Sequence, residues 1–476
     1  MIIQSRFYLL ASFVTIGINF LTLPFFTQYL SPSDYGVIGL FIVFGNVLTN
    51  LCAFGLNTAT YGIFFRTSIE NFKILNFTIL VFLSSIFIII GFFLVFPFSQ
   101  NIASSIFNNE IDQNLVKLSF INGCISYFYI FYGQLLVAQE KSVAFSTLSI
   151  IQVVTNVSVT FYFISWQALT YMAAIYGLLI SNSIVLFISL VINKNLFFFN
   201  FSLRNLKSAL RFGTPEVPNT IVNLLYGSFD KLMLVNYKGL SEVGYYDFGN
   251  RFAAILKIFM DAIGKSFSPF FLKKAARKDQ FENNEIVKKF FEILVILGFL
   301  GIGIALFSEE ALIILTTKDF YLAKYLVPLL VIFYIFGALS YISMNQFIYS
   351  QALYYLAPIS FVGLLINLLA NMLLIPKYGA FGAVIATSVA AMIMSSLQLY
   401  FGNKVYPLLV NYKNLILLLS IIVFYIILTY PILSINDNYL IKLLLKLIVV
   451  LLYLITVIKF KFINLESLKE NFTLLK

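Results

Sequence analysis

The sequence predicts an all-α integral membrane protein, and three observations support this fold class. Hydrophobic residues make up 61% of the 476 positions and charged residues only 11%, whereas soluble domains are about 45–50% apolar and about 25% charged. The apolar residues form continuous runs of the length, roughly 20 residues, that a helix needs to cross a bilayer. The few charges lie in short clusters between these runs. Strands of a membrane barrel would instead alternate over segments of about 10 residues.

A window of about 20 residues predicts fourteen transmembrane helices. The predicted spans are 7–30, 36–57, 74–98, 115–138, 143–164, 170–192, 213–235, 244–267, 290–307, 326–350, 356–375, 381–402, 415–433 and 440–458. With the N-terminus inside, 21 Lys and Arg residues fall in inside segments and 6 in outside segments. Because basic residues accumulate on the cytoplasmic side, we expect both termini in the cytoplasm. The first span is too long for a signal-peptide core and is expected to stay in the protein.

The composition disfavours several classes of function. The chain has no His, and its two cysteines, Cys52 and Cys124, lie far apart in apolar runs, so we expect neither a metal site nor a cofactor. The net charge of +11 comes from the loops between spans and does not suggest nucleic acid. No loop is long enough for a soluble catalytic domain, so we predict a protein that is not an enzyme and acts within its helix bundle.

Two pairs of similar sequence features, separated by nearly the same number of residues, predict a duplicated helical unit. The turn Leu30–Gly36 after the first span resembles Leu240–Tyr245 after the seventh, at an offset of about 208 residues. Asn156 and Asn367 recur at nearly the same offset. Six helices per unit is an even number, so the two units would be parallel repeats with a substrate site between them. We therefore predict an N-lobe at 1–200, a C-lobe at 201–403 and a C-terminal helix pair at 404–476.

The eighth predicted span carries a stripe of charges. Five residues fall within an arc of about 120° on a helix: Asp247, Arg251, Lys257, Asp261 and Lys265. A charge in mid-membrane costs roughly 2.5–3.5 kcal/mol, so this face is expected to look into protein or water. We predict that Arg251 and Lys257 bind an anionic group. The i,i+4 spacing leaves open the alternative that these charges merely neutralise one another.

Other polar residues in the spans extend the predicted site. The further substrate-binding candidates are Asn19, Asn50, Asn219, Asn223 and, at a cytoplasmic helix end, Arg66. The candidates for a coupling ion or a gate are Glu216, Asp230, Asp247 and Asp261. For each Asn the alternative is an interhelical hydrogen bond that holds the bundle together.

Several segments resemble the polysaccharide-biosynthesis (Wzx-type) flippases. They are Leu30–Gly36, the stretch Phe212–Pro218 followed by Asp230-Lys231, and the block Asn367–Thr387. The resemblance implies a two-lobe fold shared with the MATE drug antiporters, within the multidrug/oligosaccharidyl-lipid/polysaccharide exporter superfamily. It also implies a multi-pass protein of the bacterial inner membrane that flips undecaprenyl-pyrophosphate-linked O-antigen or capsule units by alternating access.

The same resemblance suggests how the site and its partners are arranged. Family members hold the pyrophosphate with cationic cavity residues, a role that would fall to Arg251 and Lys257. The implied partners are the lipid-linked oligosaccharide, membrane lipids and the polysaccharide polymerase and chain-length machinery. Three alternatives stay open: a MATE-type cation-coupled drug antiporter, a lipid II flippase, and a membrane enzyme such as an O-antigen polymerase.

Overall fold

The structure, a computed structural model, describes residues 2–64, 67–107, 110–214, 217–277, 280–435 and 439–462. Every regular element in these ranges is a helix. The α-helices are α1 Ile2–Phe26, α2 Pro32–Cys52, α3 Leu56–Phe64, α4 Ile69–Ile90, α5 Ser99–Phe107, α6 Gln113–Ala138, α7 Ser142–Gln167, α8 Tyr171–Ile192, α9 Leu203–Gly213, α10 Val217–Lys238, α11 Leu240–Ala276, α12 Gln280–Leu306, α13 Ser308–Leu315, α14 Leu326–Ala338, α15 Ser340–Tyr349, α16 Leu356–Tyr378, α17 Ala380–Val405, α18 Tyr412–Ile427, α19 Thr429–Leu433 and α20 Tyr439–Lys459. A π-helix, Gly91–Val95, prolongs α4, and short 3₁₀ helices lie at Lys194–Leu196, Lys318–Tyr325 and Leu353–Tyr355.

Within the described residues, 11 helical segments are long and apolar enough to cross a membrane. They are Pro32–Cys52, Ile69–Val95, Gln113–Ala138, Ser142–Gln167, Tyr171–Ile192, Glu282–Leu306, Lys318–Tyr349, Leu353–Tyr378, Ala380–Val405, Tyr412–Leu433 and Tyr439–Lys459. The predicted class, an all-α multi-pass membrane protein, is therefore confirmed.

The three other predicted spans coincide with α1, α10 and α11. These helices have 25, 22 and 37 residues, and at 1.5 Å per residue each is long enough to cross about 30 Å of hydrocarbon. Helices α10 and α11 carry the polar and charged stripes, which lower their hydropathy. The count of fourteen and the cytoplasmic position of both termini stay predictions.

Two predicted spans are interrupted in the structure. The tenth divides at Leu339 into α14 and α15, where the Ser340 hydroxyl donates to the Gly337 carbonyl at 2.5 Å. The thirteenth divides at Leu428 into α18 and α19, just before Pro431. Pro431 has no backbone N–H to donate to the preceding turn, which explains this break. Neither break shows in hydropathy, because the flanking residues are apolar throughout.

The chain packs as two units. Unit 1 comprises the described residues up to Gly244 with Leu315–Thr317, and unit 2 comprises Tyr245–Ile314 and the described residues from Lys318 onward. In unit 1, α2 packs on α6 and α10, and α7 packs on α1 and α8. In unit 2, α17 packs on α14, α15 and α16, and α12 packs on α14, α18 and α20. The predicted lobe boundaries at 200 and 403 stay predictions.

The turn that carries the family resemblance has a defined role at the start of α2. Ser31 and Asp34 form a reciprocal capping box around Pro32, which satisfies backbone N–H groups that the first helical turn leaves without partners. A methyl group on Gly36 would collide with the Leu240 backbone, and one on Gly244 with the Pro32 backbone. Both glycines are therefore required where the two turns meet within unit 1.

The second pair of similar sequence features, Asn156 and Asn367, lies in two tightly packed helix pairs. Asn156 on α7 lies where α8 brings Gly177 against the Asn156 side chain. Asn367 on α16 donates to the Thr387 hydroxyl on α17 at 3.2 Å. Each Asn thus lies at an interhelical contact, which fits a structural role for this pair of residues.

Candidate functional site

The charged stripe of α11 lies opposite the face by which this helix packs into unit 2. Phe252, Leu256 and Met260 are buried, whereas Arg251, Lys257 and Asp261 are exposed. At 100° per residue, the buried and charged sets point in roughly opposite directions. Helix α11 therefore presents charge away from the hydrophobic core of unit 2.

Contacts along α11 fix the orientation of the charged face. Gly249 lies against Leu326 and Leu330 of α14, and the Tyr334 hydroxyl donates to Asn250 Oδ1 at 3.0 Å. Near the other end of α11, the Ser268 hydroxyl donates to Asn345 Oδ1 at 2.6 Å. A side chain at position 251 or 257 can change its rotamer, but the helix that carries it is held at several points.

The two predicted cationic residues are accessible from outside unit 2. The Arg251 guanidinium lies over the Phe248 ring, 5.6 Å from its centroid, and Phe248 packs on Phe320 with ring centroids 4.3 Å apart. A cation–π contact of this kind restrains the guanidinium through the face of the ring. Lys257 lies on the same charged stripe, about 1.7 turns further along the helix. This arrangement suits the binding of a phosphate or carboxylate group.

Asp261 adds an acidic group to this face. Its carboxylate is in electrostatic range of the Tyr334 and Tyr341 hydroxyls. No ion pair joins Lys257 to Asp261 among the described side chains, so this i,i+4 pair does not neutralise itself in the way that the alternative interpretation requires. Asp247 lies half-buried on the same stripe.

The remaining predicted site residues belong to unit 1 or fall outside the described residues. Asn19 is exposed on α1, and the Asn50 amide donates to the Asn46 carbonyl within α2 at 2.8 Å. Asp230 on α10 is 2% exposed and accepts the Lys231 backbone N–H at 2.8 Å. Arg66 and Glu216 lie outside the described residues, and so do the side chains of Asn219 and Asn223, whose backbone belongs to α10. The structure thus places Asp247, Arg251, Lys257 and Asp261 on one helical face. The side chain of Lys265, the fifth member of the predicted stripe, lies outside the described residues.

A second set of charges, which was not predicted from the sequence, lies between α13 and α20. The Lys446 Nζ donates to both carboxylate oxygens of Glu310, at 2.5 and 2.6 Å, although Lys446 is 0% exposed. Glu309 accepts from Lys324 at 2.7 Å and pairs with Lys442. We call Glu309, Glu310, Lys324, Lys442 and Lys446 the buried charge network.

The buried charge network binds α20 to the rest of unit 2. Lys442 also donates to the Ile435 carbonyl at 3.0 Å, and Lys324 to the Leu433 carbonyl at 3.3 Å. Burial raises the pKa of Glu309, but hydrogen bonds from Lys324 and Lys442 outweigh it, so the net pKa lies below the ordinary value. Two features of the sequence could have indicated this network. They are the adjacent acidic pair Glu309-Glu310 after the ninth predicted span, and Lys442 and Lys446 at i,i+4 spacing.

The described part of the chain contains no group of three or more His, Cys, Asp or Glu side chains that could hold a metal ion. The two carboxylates of the α11 stripe, Asp247 and Asp261, are separated by Arg251 and Lys257 along the helix.

The fold is that of the MurJ and MATE transporters. The structure of the lipid II flippase MurJ in an inward closed conformation matches with a TM-score of 0.71 at 17% identity, over 97% of this chain and 99% of that chain. An inward-facing MATE family multidrug resistance transporter of the MOP superfamily matches with a TM-score of 0.62 at 14% identity, over 84% and 94% of the two chains. The predicted MATE-like architecture is confirmed.

The chain belongs to the polysaccharide biosynthesis protein family, whose profile matches residues 4–274. A relative in Haloferax volcanii, the probable low-salt glycan biosynthesis flippase Agl15, is 24% identical over 426 residues, which cover 85% of this chain and 84% of Agl15. The predicted polysaccharide-biosynthesis family is confirmed, whereas the Wzx type stays a prediction. The matched residues include the charged stripe of α11.

Proposed function

We propose that this protein is a flippase that moves a lipid-linked oligosaccharide from one membrane leaflet to the other. The observation that carries the proposal is the exposed face of α11, where Arg251 and Lys257 lie opposite the packed face. Family membership and the similarity to Agl15 and MurJ, which are named as flippases, support the same function. The proposed lipid carrier is undecaprenyl pyrophosphate, and the proposed glycan is an O-antigen or capsule unit in a bacterial inner membrane.

The physical task explains why a transporter of this kind needs cations. A pyrophosphate and several sugars cannot cross about 30 Å of hydrocarbon unaided, because burial of an unpaired charge costs several kcal/mol. Arg251 offers a planar fork of N–H donors that matches phosphate oxygens, and Lys257 adds a compact charge. The hydrophobic tail stays in the lipid while the headgroup is carried by the protein.

We propose alternating access as the mechanism, with the two predicted lobes exposing the cationic face first to one side and then to the other. Asp247 and Asp261, on the same face, would take up a proton or a cation during this cycle. The polymerase and chain-length machinery would receive the translocated unit. Asn19, Asn50, Asn219, Asn223 and Arg66 remain proposed contacts to the substrate, and Glu216 and Asp230 remain proposed gating groups.

Translocation of a fluorescent undecaprenyl-pyrophosphate oligosaccharide in proteoliposomes tests the proposal. We expect Arg251→Gln and Lys257→Gln each to slow translocation about tenfold or more, since hydrogen bonds to charged groups contribute roughly 1.5–3 kcal/mol. Lys273→Gln is the matched control, because Lys273 is an exposed cation at the end of the same helix. A wild-type protein that moves none of these lipids would contradict the function, whereas two fully active variants would contradict only the site.

A MATE-type cation-coupled drug antiporter is the second candidate. Asp261 beside Tyr334 and Tyr341 provides the acidic and aromatic surroundings that an organic cation favours. Proton-driven uptake of an organic cation into the same proteoliposomes, abolished by Asp261→Asn and retained in Arg251→Gln, would favour this candidate. Lipid II supplied as the labelled substrate distinguishes a lipid II flippase from one for O-antigen or capsule units.

A further inference from the structure

A polar pocket of about 330 Å³ opens in unit 1 between α3, α4 and α9. Ligand pockets in proteins begin at about this volume. Its polar lining comes from Thr67 and Asn71 at the start of α4 and from Arg204, Asn205 and Ser208 of α9. In the described part of the chain, the side chains of Asn71, Arg204, Asn205 and Ser208 donate to no other protein group. Four side chains whose N–H or O–H donors bond to no described protein group therefore line one cavity.

The pocket is held in shape by contacts on both sides of it. The Asn76 amide donates to the Leu196 carbonyl at 3.1 Å, and the Ser202 backbone N–H donates to the Thr78 hydroxyl at 3.0 Å. The Ser202 hydroxyl then caps the start of α9. Leu206 and Ala209 are buried on the inner face of α9. Because α9 is fixed on α4, the two helices that carry the donors of the pocket are held in place before any ligand arrives.

The cations of α9 differ from the other basic cluster of the chain. Lys274 and Arg277, at the α11–α12 turn, are bound by Glu282, and Lys274 is also bound by Glu285 at 2.6 Å. Hydrogen bonds from Lys274 to these carboxylates raise the Lys274 pKa. By contrast, no described carboxylate forms an ion pair with Arg204, Lys207 or Arg211. The positive charge of α9 is therefore available to an external anion.

The surroundings of α9 indicate that this anion belongs to the membrane. The segment that leads into α9 exposes Phe198 by 55%, Phe199 by 88% and Leu203 by 71%. Large apolar side chains next to a helix with one basic and one apolar face are typical of a helix that lies in the membrane interface. At that depth the abundant anions are the phosphates of lipid headgroups.

We propose that this pocket binds the phosphate of a lipid headgroup, with Arg204 as the charged ligand and Asn71, Asn205 and Ser208 as neutral donors. The site lies in unit 1 and does not involve α11. It is independent of the proposed transport function, because any lipid of the predicted cytoplasmic leaflet whose headgroup phosphate leaves it with a net negative charge has the required chemistry.

Native mass spectrometry of the full-length protein in detergent tests this site. Phosphatidylglycerol and phosphatidylcholine are titrated into the wild type and into Arg204→Gln, Asn71→Ala and Lys207→Gln. We expect phosphatidylglycerol to bind the wild type more tightly than phosphatidylcholine, and Arg204→Gln to weaken it about tenfold. Asn71→Ala, which leaves the net charge unchanged, is expected to weaken binding by a smaller factor.

Lys207→Gln is the matched control, since Lys207 is an exposed cation of the same helix that does not line the pocket. An equal loss in Lys207→Gln and Arg204→Gln would show diffuse attraction by the basic face and would overturn the site. Equal binding of the two lipids by the wild type would overturn it as well. Melting temperatures of all variants, compared with the wild type, separate weakened binding from unfolding.

Competition identifies the source of the phosphate. Displacement of phosphatidylglycerol by millimolar inorganic pyrophosphate would support a headgroup pocket that recognises phosphate alone. Displacement only by undecaprenyl pyrophosphate would support a pocket for lipid-borne pyrophosphate. If neither displaces the bound lipid, phosphate recognition is contradicted. Translocation by Arg204→Gln in proteoliposomes is a separate readout, so failure of this site and failure of the flippase proposal are distinguishable.

Discussion

Unit 2 contains two sets of charges in apolar surroundings, and their environments differ. In the buried charge network, Lys446 is fully enclosed and bonded to Glu310, so every charge shown there has an opposite charge beside it. On α11, Lys257 and Asp261 are exposed and form no ion pair with each other within the described residues. Charges that hold helices together are expected to be paired and enclosed, whereas charges that receive a ligand are expected to be accessible.

This difference gives a criterion for separating charges that stabilise the fold from charges that bind a ligand. Hydropathy alone does not separate them. Both sets lower the apolar character of their helices. In the network each charge is buried beside an opposite charge, so the loss of one partner leaves the other buried without compensation. The α11 face costs solvation energy in the membrane unless water or a ligand covers it. Substitution of the network is therefore expected to lower stability, and substitution of the α11 face to lower ligand binding.

The largest effect is expected for Lys446→Met. Removal of one partner from a buried ion pair leaves an uncompensated charge and costs about 3–5 kcal/mol. The loss is measured as a lowered melting temperature of the full-length protein in detergent. Lys459→Met, at an exposed position near the end of the same helix, is expected to leave the melting temperature unchanged.

The double variant Glu310→Gln, Lys446→Met sharpens this prediction, because it removes both charges together. A buried pair replaced by neutral groups is often close to neutral in stability, so we expect the double variant to regain most of the lost melting temperature. Additive losses in the two single variants and the double variant would show that the pair does not act as a unit.

An intermediate effect is expected for the α11 face, and on a different quantity. Arg251→Gln and Lys257→Gln should each change the free energy of unfolding by less than about 1 kcal/mol, as exposed substitutions generally do. Their melting temperatures should therefore stay close to that of the wild type. Their affinity for undecaprenyl pyrophosphate should fall about tenfold each. Binding is measured by native mass spectrometry alongside the melting curve of each variant. A large drop in stability with unchanged affinity would assign these cations to the same structural class as Lys446.

The sequence was sufficient to predict the fold class and the family, and the reason is physical. A membrane helix must be apolar over about 20 residues. The composition of the sequence in windows of that length is therefore enough to delimit the transmembrane helices. The charged stripe of α11 was equally predictable, because helical spacing sets which side chains share a face. The structure adds that this face lies opposite Phe252 and Leu256, a fact that depends on packing with α14.

The partners of individual charges could not be predicted, because they are distant in the sequence. Glu310 and Lys446 are separated by 136 residues, and no local pattern specifies such a contact. The pocket at α9 is similar, since Asn71 and Arg204 come from different helices. Four short helices, α3, α5, α9 and α13, were also not predicted. They are too short to span the membrane, so a window of about 20 residues does not detect them.

The smallest effect is expected from pH, and it concerns Glu309. Its folded-state pKa lies below the ordinary value of Glu, about 4.3, because Lys324 and Lys442 stabilise the carboxylate against the opposing effect of burial. A group with a lowered folded pKa contributes stability that is present above the unfolded pKa and is lost as the pH falls through the folded pKa. The melting temperature should therefore be flat from pH 7 to about 5 and fall below about 4.3. Glu309→Gln should start lower at pH 7 and fall less steeply in acid, whereas a parallel acid decline in both proteins would assign the decline to other carboxylates.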